Sequence, residues 1–201
     1  MSMENTLNGG KSQFSLQDLM KALADTEDGQ RPVEKWNPDY CGEMDMVIKV
    51  DGSWWHEGSP LTRRGLIDLF ASILRKDEDG ETYLVTPVEK IKIVVERAPF
   101  VAVRADIEGE GETQRIFFTT NLDEVVEAGP DHPIRVETDP QTLEPAPFMT
   151  IRGRLEASLK RSVFYELVEH AVERDTDEGK QLGIWASGTF FPLGPAGAHE
   201  V

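Results

Sequence analysis

The sequence predicts an α+β fold: a small N-terminal α/β domain followed by a larger, mainly antiparallel β domain that carries a long helix. Short runs of branched and aromatic residues, separated by glycine or proline, recur along much of the chain and read as strands. Two other stretches space their apolar residues three and four apart, the period of a helix with one buried face. The likeness of those two stretches to each other predicts an internal repeated strand–helix motif.

Residues 1–35 read as a polar tail with one short amphipathic helix through Leu16, Leu19, Met20 and Leu23. Trp36-Asn37-Pro38 opens the first domain, residues 36–80. Met46, Ile48 and Val50 alternate with Asp45, Val47 and Lys49, close to a strand's period of two. Asp51-Gly52 is the dipeptide best suited to a type I′ hairpin turn, and Ser53-Trp54-Trp55-His56 returns as its second strand. Gly58-Ser59-Pro60 breaks that strand. Thr62 is placed to cap a helix whose Leu66, Leu69, Phe70, Ile73 and Leu74 share one face.

The charged turn KDEDGE, residues 76–81, is the expected boundary, and residues 81–194 form the second domain. Strands are expected at residues 83–85, 91–95, 100–107 and 115–119, with EGEGE as a hairpin loop. Asn121 caps an expected helical turn over 122–128. A strand at 134–136, a proline-bearing loop at 139–147 and a strand at 148–152 lead to a long helix over 158–173. A last hairpin follows, and residues 195–201 form a tail.

Seventeen residues align without a gap between the two helical stretches: LTRRGLIDLFASILRKD from Leu61 and LKRSVFYELVEHAVERD from Leu159. Leu61, Arg63, Leu69 and Asp77 recur as Leu159, Arg161, Leu167 and Asp175. The hairpin IKVDGSWWHEG is echoed by IWASGTFFPLG, with Gly52 opposite Gly188.

The net charge of −16, from 37 acidic and 21 basic residues, sets most of the surface against nucleic acid and anionic membrane. No apolar run approaches the ~20 residues of a membrane span. The N-terminus lacks the layout of a signal peptide, and the single cysteine, Cys41, permits no internal disulfide. A cytoplasmic protein is therefore expected.

No catalytic or metal-binding residues are expected. There is no GxSxG elbow, and nothing beside Cys41 activates a thiolate. His56, His132, His170 and His199 stand far apart. The acidic turns at 77–80 and 175–179 lack the closing glutamate of a calcium loop. EGEGET has no lysine, and its glutamates repel phosphate. No cofactor is implied.

The feature that stands out is cationic. In this acidic chain, Arg63 and Arg64 begin one helix and Lys160 and Arg161 the other, where a positive side chain opposes the helix dipole. An anion resting on the helix N-terminus would reverse that penalty. Arg152 and Arg154 lie just before the second helix. Trp54 and Trp55 lie just before the first and offer a flat face to a base. These eight residues form the candidate ligand site, unless the arginines are taken up by surface carboxylates.

WNPDYCGEMDMVIKVDGSWWHEGSPLTRRGLI, YLVTPVEKIKIVVERAPFVAV and RIFFTTNLDEVV resemble a bacterial family known as domain of unknown function 1285, over residues 36–193. The resemblance implies an α+β fold with a repeated motif in two domains, the C-terminal one superficially similar to pleckstrin-homology barrels. It implies no established activity; a nucleotide-like ligand between the domains and a role in signalling are its suggestions. The first functional reading is a non-catalytic regulatory module that binds an anionic, nucleotide-like small molecule between its domains. A protein-interaction module and an enzyme with scattered site residues are the alternatives.

Overall fold

The computed structural model describes residues 31–139, 144–177 and 179–197. The short helix expected near Leu16 lies outside them. Among the described residues, fifteen strands and two α-helices make a mostly β, α+β architecture. Two of its sheets are mixed and the third is antiparallel.

The first sheet runs β3-β2-β1-β6-β5-β4. Its strands are β1 (Tyr40–Ile48), β2 (Trp54–His56), β3 (Ser59–Pro60), β4 (Leu74–Lys76), β5 (Thr82–Val85) and β6 (Lys90–Val95). β1 and β6 are parallel neighbours, and the other pairs are antiparallel. Met44, Met46 and Ile48 face the core on alternate positions of β1. Between β3 and β4, α1 (Arg64–Ser72) packs Phe70 on Trp54, ring centroids 6.4 Å apart.

The second sheet runs β10-β11-β12-β7-β8-β9. It comprises β7 (Phe100–Glu108), β8 (Arg115–Thr120), β9 (Val125–Glu127), β10 (Ile134–Thr138), β11 (Pro145–Arg152) and β12 (Leu155–Leu159). After β12 comes α2 (Arg161–Glu169), then a sheet of β13 (Val172–Thr176), β14 (Gly179–Ala186) and β15 (Thr189–Pro195). One apolar cluster runs through both halves, from Val33 and Met46 to Leu167 and Leu193.

Several expectations need correction. The boundary at residue 80 falls inside the β4–β5 hairpin, where the Asp77 amide bonds the Glu81 carbonyl at 3.0 Å; the first sheet continues to Val95. Arg63, not Thr62, is the N-cap of α1, and no side chain caps it. Residues 125–127 form β9, and Asn121 caps no helix: its Oδ1 accepts the Val101 amide at 3.0 Å. The helix expected over 158–173 is α2 alone, because Ser158 belongs to β12 and Val172 begins β13.

Turn chemistry also differs. At Asp51-Gly52 only the glycine has positive φ (81°), and Lys49 O accepts the Gly52 amide at 2.9 Å. That is a type I turn closed by a left-handed glycine, not type I′. Any Cβ on Gly52 would stand 2.6 Å from Asn121 Nδ2. The paired positive φ angles of type I′ occur at Glu57-Gly58 (49° and 72°), which joins β2 to β3, and at Ser187-Gly188 (47° and 77°), which joins β14 to β15.

Candidate functional site

α1 begins at Arg64 and α2 at Arg161, and Phe70 and Leu167, each 0% exposed, hold matching places in them. Counted from the helix starts, Phe70 rather than Leu69 takes the place of Leu167. Leu69 is only half-buried. Arg64, not Arg63, stands where Arg161 stands.

The eight candidate residues do not meet in one place. Trp54 is 1% exposed in the core, and among the described residues its Nε1 has no hydrogen-bond partner. Trp55 donates to Ser53 Oγ at 3.0 Å. Arg63 is exposed at the start of α1. Arg64 is held by Asp68 at 2.6 Å and Asp123 at 3.0 Å; the hydrogen bond it donates to Asp68 raises its pKa above the ordinary value. Lys160 is exposed, and Arg161 pairs with Glu144 at 2.7 Å beside a smaller cavity near Arg97. Arg154 reaches outward to Glu78 at 2.9 Å.

Arg152 is different. The β11–β12 connection is a two-residue turn, Gly153-Arg154, with Gly153 at φ 52°. Only glycine fits there without strain, and a Cβ would also come within 2.7 Å of Glu34 Oε1. The turn sends Arg152 inward. Its Nη2 donates to the Ala71 carbonyl at 2.6 Å, in the last turn of α1. A cation is favourable at that end of a helix, so Arg152 sits where the dipole wants it. Its Nη1 donates to Glu124 at 2.8 Å, and the guanidinium lies 5.0 Å from the centre of the Phe100 ring.

This arginine forms one wall of a cavity of about 540 Å³. Leu74, Phe100, Leu122 and Leu155 supply its apolar lining. Arg31 stands in the same wall and donates to Ser72 Oγ at 2.5 Å, while Glu34, Asp68 and Glu124 bring carboxylates. The volume lies within the usual range of small-molecule sites, as does the mixture of apolar lining and a few placed polar groups.

One supporting residue gave no signal in the sequence. Arg75 is 8% exposed. It grips Asp77 at 2.6 and 3.2 Å and donates to the carbonyls of Val33 and Trp36 at 2.9 and 2.6 Å. The turn carrying Glu34 is thereby fixed at the cavity rim. Burial pushes the Asp77 carboxyl up, but Arg75 and Lys90 outweigh it and hold it below the usual range. Only the adjoining apolar pair Ile73-Leu74 could have hinted that Arg75 is buried.

Residues 31–98 match the N-terminal domain, and residues 99–193 the C-terminal domain, of a family of unknown function designated DUF1285. The chain belongs to the DUF1285 family. A crystal structure of a DUF1285 family protein from Silicibacter pomeroyi DSS-3 is similar to it, with a TM-score of 0.82 and 42% identity over 90% of this chain and 96% of that one. Another, from Shewanella baltica OS155, has a TM-score of 0.48 and 25% identity over 63% of this chain and 92% of that one. No curated protein matches. The division between residues 98 and 99 runs through the cavity: Leu74 lines it from the N-terminal DUF1285 domain, and Phe100 and Arg152 line it from the C-terminal one.

Proposed function

We propose that this DUF1285 protein is a non-catalytic regulatory module that binds a small anionic ligand between its two domains, with Arg152 receiving the anionic group. The observation that carries this is Arg152 itself, a guanidinium turned into a cavity of about 540 Å³ and backed by Phe100. The anion reading moves with it from the helix N-termini to the C-terminal end of α1. The nucleotide-like form of the ligand loses support, because Trp54 is occupied in the core.

The finer fold reading belongs to the same proposal. α1 with β4–β5 and α2 with β13–β14 repeat a helix-then-hairpin unit, and the largely antiparallel C-terminal domain with its one helix is the pleckstrin-homology-like part. The differing turns at Gly52 and Gly188 leave the hairpin echo outside that unit. A cytoplasmic location is part of the proposal. Among the described residues, no helix is long and apolar enough to cross a membrane. A protein-interaction module is the second reading. It is favoured by Val125, 61% exposed on the edge strand β9.

The test is a thermal-shift screen of phosphorylated and carboxylated metabolites against the parent and Arg152→Gln. A binder at a hundred times its Kd adds about 2.7 kcal/mol of stability. The reading predicts stabilisation of the parent that weakens with salt and disappears in Arg152→Gln. No stabilising compound, or equal stabilisation of the variant, would refute it.

A further inference from the structure

We infer that Glu124 is an internal stand-in for the ligand: its carboxylate occupies Arg152 in the free protein, and an incoming small oxyanion binds by taking its place. The inference rests on the proposed cleft and adds the route by which an anion enters it.

The charges require such an exchange. Arg31 and Arg152 in the cavity wall face Glu34, Asp68 and Glu124. Asp68 is already paired with Arg64, so the two arginines are matched by Glu34 and Glu124, and an anion added to that set would leave it net negative. An anion that replaces Glu124 at Arg152 leaves the local charge balance as it was. The pair is suited to release, since its side chains are 25% and 27% exposed and one contact at 2.8 Å joins them. Ion pairs that open to water are weakly held.

The exchange needs only a side-chain rotation. Thr120, 0% exposed, fixes the turn that carries Glu124. Its Oγ1 accepts the amides of Leu122 and Glu124, both at 3.2 Å, and its own amide bonds the Glu124 carbonyl at 2.9 Å. Arg152 keeps its hydrogen bond to Ala71 and its place over Phe100 when Glu124 leaves, so it stays aimed at the newcomer.

The experiment titrates acetate and inorganic phosphate at constant ionic strength into the parent, Glu124→Gln, Asp123→Asn and Glu124→Gln/Arg152→Gln. Melting temperature and the Gly153 amide resonance are followed. Glu124→Gln should bind both probes roughly tenfold or more tightly than the parent, the worth of one charged hydrogen bond. Asp123→Asn removes the same charge from the same turn and should gain nothing; the double variant should lose the gain. Should Glu124→Gln not fold, Glu124→Asp, which pulls the carboxylate back by one methylene, should show an intermediate gain. Failure of the folded variant to bind more tightly than the parent overturns the inference, as does an equal gain in Asp123→Asn or a gain that survives loss of Arg152. If a screened metabolite binds the parent through Arg152 yet Glu124→Gln shows no gain, the exchange fails and the ligand-module reading stands. If Glu124→Gln gains the probes and the screen finds nothing, the reverse holds.

Discussion

Replacing Arg75 by Met keeps most of the buried stem and strips every donor from its end. Four hydrogen bonds disappear: two to Asp77 and one each to the carbonyls of Val33 and Trp36. Asp77 is not stranded, because Lys90 still holds it at 3.0 Å. The Val33 carbonyl keeps the Trp36 amide at 3.2 Å, but the Trp36 carbonyl loses its charged partner, and leaving a buried acceptor unsatisfied costs about 1–3 kcal/mol. Removing one side of a buried ion pair costs about 3–5 kcal/mol. With Lys90 as partial compensation, the expected loss is about 3–4 kcal/mol, or roughly 10 °C in Tm for a chain of this size.

Urea unfolding at neutral pH measures that loss. The cycle Arg75→Met, Asp77→Asn and the double variant tests its origin. The double variant should be more stable than the sum of the single losses by roughly 1–2 kcal/mol, because each single change leaves the other partner behind. The turn Val33–Lys35 should also come loose, and trypsin should then cut faster after Lys35. An Arg75→Met variant within about 0.5 kcal/mol of the parent would show that this clasp does not hold the turn, and the account of the cavity rim would fall with it.

Two further outcomes follow from packing and charge. Phe70→Ala and Leu167→Ala should cost roughly 3–5 and 2–5 kcal/mol in denaturant melts, and Leu69→Ala less than about 2 kcal/mol, because only the first two side chains are wholly enclosed; a larger loss at Leu69 would restore the original helix alignment. Acidification should reduce stability, since the Asp77 carboxyl lies below its ordinary value of 3.8 in the folded chain: its contribution is full above that value and is lost as pH falls through the folded one. Asp77→Asn should flatten that part of the pH–stability curve, and an unchanged slope would remove Asp77 from the account.

The strands at residues 91–95, 100–107 and 115–119 were legible to within a residue or two, because their branched and aromatic runs lie between glycine or proline signals that act locally. Local signals misled where tertiary partners decide. Asn121 looks like a helix cap, yet its amide is used to pair the Val101 backbone with the loop at Gly52, a partner 69 residues away in sequence. Leu74 continues the apolar spacing of α1, but β5 offers it a strand partner in Leu84, and the helix stops at Ser72. Periodicity could not choose between those fates, since a buried leucine satisfies either.

The candidate site shows the same division more sharply. That arginines at helix starts are unfavourable without an anion is sound as a local statement, and Arg64 and Arg161 answer it with Asp68, Asp123 and Glu144. No spacing in the sequence says that Arg152, just before a two-residue turn, will arrive at the opposite end of α1. That position depends on the parallel pairing of β12 with β7, which brings a turn from the C-terminal domain against a helix from the N-terminal one. Once there, Arg152 meets Ala71 and Glu124, partners 81 and 28 residues distant. A guanidinium shared between a helix end, an aromatic ring and one half-open carboxylate can exchange one partner while keeping the others. The arginines closed into surface pairs with Asp68, Asp123 or Glu144 have no such second support, so the case for ligand exchange narrows to Arg152.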